Sequence, residues 1–476
     1  MNLKICLSAL MLALAVVACD SDGTTPGTAT PASTMLSGTA AVGDPVAGGT
    51  VSFQCAAGTN PANTITAANG SWTVQVDGAT FPCVVKVSGG SPAASLASLA
   101  LGTAEQVNVT PLTDLIFASA AGSTPAAWAA AHPADFGPAL AALALRLPAA
   151  AASVKANLAA AGYTVPDGNL FTASFNPVNG DPYDDLLEAL KTSLADSGRS
   201  FSDLVASSAA AGTGTFAIPR TRYITAADVA TTPKLNSSSL TISGDVLTMR
   251  TNVTEPNPAG AFLGGGQGNK AILEIPGLAG MKVADLKSVA MELKMVKHEI
   301  GNPGYYGNAP YVNFLVDLTC DMSPLPAGMT VAQAQLRRRH IVYNPEYQVA
   351  GAVSTTTFVT GSATSDSLVW GMSGSPLLGM QPNATGAPLG RLSFDLAAYP
   401  DACIVDGASA DNGVWRDKAA DPSCDTTSAL GANDLAKCGR AYKGVIVNLG
   451  NSSNRFEMEW QVKSVRINDR IYKFKP

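Results

Sequence analysis

Phe456-Glu457-Met458-Glu459-Trp460-Gln461-Val462 alternates apolar and polar residues without a break, the period of a strand with one face buried and the other wet. Val465 and Ile467 carry the pattern into Asn468-Asp469, a turn pair, and Ile471-Tyr472-Lys473-Phe474 returns as a second strand. The same signature recurs upstream at Leu240-Thr241-Ile242, Ala271 to Ile275, Val289 to Met295, Tyr311 to Leu318, Ile341-Val342-Tyr343 and Val445-Ile446-Val447. Many strands separated by long loops across residues 225–476 predict a two-sheet β jelly-roll sandwich. Trp460 and Trp72, each within an alternating run, are expected in cores.

Nearer the N-terminus, Val51-Ser52-Phe53-Gln54-Cys55, Trp72-Thr73-Val74-Gln75-Val76 and Cys83-Val84-Val85-Lys86-Val87 alternate in the same way around Asn69-Gly70 and Gly-Gly turns. They predict a small antiparallel β-sandwich over residues 36–105. Leu36 to Ala40, Pro45 to Val51 and Asn69 to Val74 resemble the carboxypeptidase-regulatory and transthyretin-like modules, a resemblance that implies a spacer or stability role. Between 109 and 213 the period changes and Ala dominates. Thr124-Pro125 reads as a helix start, Leu140, Leu143 and Leu147 recur at helical spacing before Pro148 ends the run, and Val154 and Leu158 mark a second helix. A third begins at Asp181-Pro182, carries Leu186, Leu187, Leu190 and Leu194 on one face, and stops before Gly198. Val109 to Thr113 and Asp181 to Leu187 resemble segments of proteobacterial lipoproteins. In the C-terminal part, Tyr311 to Leu318, Ile341 to Tyr347, Leu396 to Ala402 and the final hairpin resemble carbohydrate-binding-module and laminin-G-like jelly rolls. The fold class expected is therefore multidomain and mainly β, with an α-helical domain in the middle.

The first residues give an address. Lys4 precedes an apolar run from Ile5 to Val17, shorter than the roughly 20 residues a bilayer span needs. Val16-Val17-Ala18-Cys19 then resembles the bacterial lipoprotein signal, which implies removal of residues 1–18 and attachment of lipid, palmitate included, to Cys19. Residues 19–35 are Thr, Gly, Pro, Ala and Ser with little to bury, and read as a flexible tether. The chain has 14% charged residues and a formal net charge of −6, without the concentrated basic face that nucleic-acid binding requires.

Eight cysteines are present. Cys6 lies in the signal and Cys19 at its end, so an even set remains, which after an export signal implies disulfides. Cys55 and Cys83 on neighbouring strand-like runs are expected to pair. Cys320, Cys403, Cys424 and Cys438 allow three connectivities, of which Cys424 with Cys438 is the shortest-range and leaves Cys320 with Cys403. No CxxC pair supports zinc.

Several constellations suggest chemistry without completing it. Trp370-Gly371-Met372-Ser373-Gly374-Ser375-Pro376 resembles the nucleophile segment of chymotrypsin-like proteases, but Met372 stands where that family has Asp, and His132, His298 and His340 have the wrong context for its base. Gly264 to Lys270 leads into a strand rather than a helix, so it is not a phosphate loop. Asp181, Asp184 and Asp185 fit helix capping better than Ca²⁺ binding or acid–base work. Asp317, Asp321, Asp395 and Asp401 are alternative ligands for a structural Ca²⁺, with no spacing that selects among them. Arg337-Arg338-Arg339-His340 is a positive run suited to a solvated connection or, less well, to gripping anionic polysaccharide or lipid headgroups. Tyr305 and Tyr306, in a loop with Asn302 and Asn308, offer flat rings for stacking on sugars, as an alternative to plugging the sandwich end. Trp370 and Trp415 are open to either reading.

Together these features predict a lipid-anchored, non-catalytic protein of the bacterial cell envelope, whose jelly roll meets an extracellular ligand such as a glycan. The membrane is engaged through the N-terminal lipid; Asp20, beside Cys19, leaves inner and outer membrane both open. An assembly protein of the envelope is the alternative, and a secreted hydrolase ranks third.

Overall fold

The computed structural model describes residues 34–103, 106–230, 239–251, 271–298, 309–323, 337–343, 357–364, 371–373, 381–382, 392–393, 399–406, 443–450 and 457–476. They are mostly β-sheet, with a group of helices between an N-terminal and a C-terminal pair of sheets.

The alternating residues after Thr34 form β1 (Met35–Val42), β2 (Asp44–Pro45), β3 (Ala47–Gly58), β4 (Thr64–Ile65), β5 (Ser71–Gln75), β6 (Ala79–Ser91), β7 (Ala94–Ala100) and β8 (Gln106–Val109). One sheet runs β2-β1-β5 with β8 beside β1, and the other runs β4-β3-β6-β7. Leu36, Trp72 and Val74 from the first meet Val51, Phe53, Val85 and Val87 from the second in one core. Trp72 is buried there against the edge of Phe53, 5.6 Å between centroids. The sheets are not purely antiparallel, because β8 returns parallel to β1. That pairing requires glycine at 38, where a Cβ would fall 1.9 Å from the Val107 carbonyl oxygen and 2.5 Å from the Trp72 ring. Cys55 and Cys83 face each other across β3 and β6 and are bonded. Closing a loop of 28 residues restricts the unfolded chain by about 3–4 kcal/mol.

The Ala-rich region folds into α1 (Pro111–Ala121), α2 (Pro125–Ala131), α3 (Phe136–Ala144), α4 (Leu147–Ala161), α5 (Pro182–Ser197) and α6 (Phe201–Ala211). Thr110, Thr124 and Asp181 cap α1, α2 and α5, each followed by proline at the first helical position. Pro148 does not end the leucine run: α3 stops at Ala144, and Leu147-Pro148 opens α4, where proline removes no intrahelical bond. Gly198 ends α5 in the left-handed conformation, φ 71°. Among the described residues no single helix is long and apolar enough to cross a membrane.

Every residue of α1 from Leu112 to Ala120 is buried, in a cluster that also takes Val84, Ala97 and Leu99 from the second sheet. Asp114 Oδ1 accepts from the Ala97 amide at 3.0 Å, and Thr113 Oγ1 donates to the Ala97 carbonyl at 3.3 Å. Burial pushes the Asp114 pKa up to about 7, against the pull of the Ala97 hydrogen bond.

Beyond the helices come β9 (Arg220–Thr225), α7 (Ala226–Ala230), β10 (Ser239–Ser243), β11 (Val246–Thr251), β12 (Ala271–Ile275), β13 (Ser288–His298) and β14 (Tyr311–Asp317). They are followed by β15 (Arg338–Tyr343), β16 (Val359–Thr364), β17 (Gly371–Ser373), β18 (Gln381–Pro382), β19 (Leu392–Ser393), β20 (Cys403–Ile404), β21 (Val445–Leu449), β22 (Met458–Ile467) and β23 (Arg470–Lys475). One sheet runs β10-β11-β22-β13-β16 with β23 joining β22 to β9; the other runs β12-β21-β14-β15-β17-β19-β18 with β20 on β14. Met249, Val289, Leu293, Trp460 and Val462 from the first share a core with Leu273, Phe314, Ile341 and Val447 from the second. The β22–β23 hairpin follows the opening sequence, with Asn468 at φ 53° in its turn. Cys320 and Cys403 are bonded across 83 residues; Cys424 and Cys438 lie outside the described residues. β9 lies parallel to β23, and Asp196 of α5 binds this junction, accepting from Thr221 Oγ1 at 2.7 Å and pairing with Lys473 at 2.5 Å.

Folded Asp114 keeps its proton up to about pH 7, whereas its ordinary value is 3.8. Between those values the folded state binds more protons, so stability falls as pH rises through the window. Asp114→Asn, whose amide oxygen can still accept from Ala97, is expected to flatten this decline and to exceed the wild type by about 2–4 kcal/mol at pH 8. Urea midpoints across pH 4 to 8 measure it; parallel curves for the two proteins would refute it.

Candidate functional site

Asp181-Pro182-Tyr183-Asp184-Asp185 brings three carboxylates into the first turn of α5, where unpaired amides and the helix dipole favour negative charge. Asp181 accepts from the amides of Tyr183 and Asn176, each at 2.9 Å, and Asp185 accepts from Gly180 at 2.9 Å. Asp181 therefore caps the helix, as its position predicts, and Asp185 ties down the loop before it. Tyr183 turns inward, stacks on Phe175 and bonds Thr110 and the Leu170 carbonyl, which fixes the helix start against the core.

Asp184 is different. Helical spacing puts Asp184, Glu188 and Lys191 on one stripe, and the stripe faces the turn between β1 and β2. Gly43 sits in that turn at φ 99°, and a Cβ on it would lie 2.2 Å from Glu188 Oε1, so only glycine lets the carboxylate approach. Lys191 Nζ reaches Asp44 at 2.5 Å and Glu188 at 3.3 Å. Gly43, Asp44, Pro177, Val178, Asn179, Asp184, Asp185 and Glu188 line a cleft of about 560 Å³. Asp184 is only 3% exposed, and its Oδ1 has no hydrogen-bond partner. Burial, reinforced by the charges of Glu188, Asp181, Asp185 and Asp44, pushes its pKa up to about 6. The hydrogen bond it donates to Asp44 holds the Lys191 ammonium above its ordinary value.

The cleft can concentrate and hold positive charge, and its lining contains no His, Ser or Cys. Among the described residues, no three His, Cys, Asp or Glu side chains are placed to hold a metal ion. Asp317, considered above for Ca²⁺, is instead taken up by cations: its buried carboxylate meets Arg337 Nε at 2.7 Å and Arg338 Nε at 3.3 Å. Burial works against ionisation there, yet Arg337 and the bonds from Thr319 and Asp321 keep its pKa below the ordinary value. Asp321 pairs with Arg337 as well, and exposed Asp401 lies 3.9 Å from Lys282. The arginine run is accordingly neither a solvated connection nor a free grip for anions at its first two positions, since Arg338 is 1% exposed.

Strand register places His340 of β15 opposite Ser373 of β17. His132 bonds Asp135 on the surface of the helical layer. Cys19, Asn302, Tyr305, Tyr306, Asn308, Trp370, Asp395, Trp415 and the loop Gly264 to Lys270 lie outside the described residues. Gly43, Asp44, Glu188 and Lys191 were not singled out in the sequence, because the place of the first two in the cleft depends on packing against a helix far along the chain.

Fold and cleft thus define a mainly β, disulfide-bonded chain with an acidic recess between its first sheets and its helices. No family model matches this chain, and no curated protein matches it.

Because the folded Asp184 pKa is raised from 3.8 to about 6, its contribution follows the same sign as Asp114: it weakens the fold as pH climbs from about 4 past 6. Asp184→Asn is expected to match wild type at pH 4 and to be about 1–2 kcal/mol more stable at pH 8, less than the full shift because cleft water screens the charge. A chemical denaturation series over that range reads the difference, and an unchanged gap at both ends would contradict it.

Proposed function

We propose that this chain is a lipid-anchored protein of the bacterial cell envelope, fastened through Cys19. It would carry a transthyretin-like sandwich over 36–105 and a helical domain over 109–213 as a stalk for a jelly roll over 225–476. In this reading the jelly roll is the part that meets an extracellular ligand, a glycan first among them, without catalysis. The observation that carries the reading is the apolar run ending at Val16-Val17-Ala18-Cys19. The bonded pairs Cys55–Cys83 and Cys320–Cys403 support it, since such bonds persist outside the reducing cytosol. Two or more acyl chains at one cysteine would suffice for lasting attachment, where one chain is marginal.

Register alone favours a second reading. His340 opposite Ser373 has the residue types of a nucleophile and its base, which keeps a hydrolase open. Labelling by a serine-directed fluorophosphonate, lost on Ser373→Ala, would support that reading.

For the anchor, cells fed an alkyne palmitate analogue are expected to label the wild-type chain in the membrane fraction, and Cys19→Ser is expected to abolish the label and release the protein. A soluble, unlabelled wild type would sink the proposal. For the ligand, binding on a glycan array should fall on Tyr305→Ala or Tyr306→Ala; silence across the array moves weight to envelope assembly.

A further inference from the structure

Three observations converge on the cleft between the β1–β2 turn and α5. The first is charge: Asp44, Asp184, Asp185 and Glu188 all line it, while Lys191 at its mouth reaches only Asp44 and Glu188. The second is an acceptor with nothing to accept. Asp184 is 3% exposed, lines the cleft, and its Oδ1 is the one carboxylate oxygen among the buried side-chain atoms without a hydrogen-bond partner in the described residues, a costly state for a group that can carry charge. The third is shape. About 560 Å³ is the size of a small-molecule site, and Pro177 with half-exposed Val178 gives it an apolar wall.

We infer that this cleft binds a small aliphatic polyamine, with one ammonium donating to Asp184 and another shared among Asp185, Glu188 and Asp44. An inorganic cation fits less well, because no three carboxylates converge at metal-binding geometry among the described residues. A polyamine suits this lining: its ammonium groups make charge-assisted hydrogen bonds to carboxylates, and its methylenes lie along Pro177 and Val178. Lys191 already displays the chemistry, since its own alkylammonium rests between Asp44 and Glu188. The inference does not depend on the envelope anchor or on the jelly roll.

The test is calorimetric titration of the full chain, in detergent, with spermidine and 1,5-diaminopentane at two salt concentrations. One saturable site is expected, weakened at least tenfold by Asp184→Asn and by Asp44→Asn, and unaffected by Asp167→Asn, an exposed carboxylate outside the cleft. Lys191→Ala, which withdraws an ammonium from the same acceptors, is expected to tighten binding severalfold. Near-UV circular dichroism confirms that each variant is folded, and Asp44, on the surface, can be changed without touching a core. Equal affinity in wild type, Asp184→Asn and Asp44→Asn would reduce the effect to general surface charge and overturn the assignment. Calcium chloride displacing spermidine at equal concentration would overturn it in favour of an inorganic ion, and absence of binding to either amine would end it.

Discussion

Helix α1 has no face for water. From Leu112 to Ala120 each residue is buried, so the helix exists only if something covers it on all sides, and amphipathic packing on one side would not be enough. The second N-terminal sheet covers one side through Val84, Ala97 and Leu99, and the rest is covered by α4, α6 and their neighbours in the same cluster. That requirement fuses what the sequence divides into a β module and a helical one. A buried helix also buries its polar groups, and these are spent on the sheet: Thr113 and Asp114 both bind Ala97, while Ser119 donates to the Gly212 carbonyl beyond α6. The raised pKa of Asp114 is the cost of using a carboxylate where the chain needs an acceptor.

The C-terminal sheets are attached by a different physics. Their core is their own, running from Ile224 to Phe474, and their join to the helical layer is largely polar. Asp196 collects Thr221 and Lys473, its backbone carbonyl accepts from Arg466, and Arg199 faces Asp469 at 3.6 Å. Asp196 lies near the C-terminal end of α5, where cations are favoured, and this is where Lys473 and Arg466 arrive. The parallel pairing of β9 with β23 gives this join a backbone component, which a cluster of exposed ion pairs would lack.

What the sequence disclosed and what it hid divide along contact range. The β22–β23 hairpin, the caps of α2 and α5, and the burial of Trp72 and Trp460 follow from residues within a few positions of one another, and each can be read from period and turn chemistry. The Cys55–Cys83 pairing was legible because both cysteines sit in alternating strands that a hairpin-like return brings opposite. Pro148 misled because a proline looks the same whether it closes one helix or opens the next. The parallel strands β8 and β9 were hidden, since their partners β1 and β23 are far along the chain and no local pattern names a partner. The same holds for the cleft: Asp181, Asp184 and Asp185 stood out as a group, but nothing in that group distinguishes the two that bond backbone amides from the one that does not. Only the approach of Gly43 and Asp44 makes the distinction.

That distinction carries the functional argument. A helix start needs acceptors for its free amides, and Asp181 supplies one for Tyr183, while Asp181 and Asp185 also bind the amides of Asn176 and Gly180 in the preceding loop. Glu188 is partly neutralised by Lys191. Asp184 has neither service nor compensation at Oδ1, and the helix dipole returns only about 0.3–1 kcal/mol for a charge in the first turn, less than or comparable to the penalty its raised pKa implies. A fold shaped by stability alone would place Asn or Ser at this position and lose no bond from that oxygen. The carboxylate is therefore explained by what it can hold rather than by what it supports, and the glycine that brings Glu188 over the β1–β2 turn belongs to the same explanation, because it closes the recess around the one buried carboxylate oxygen without a partner among the described residues.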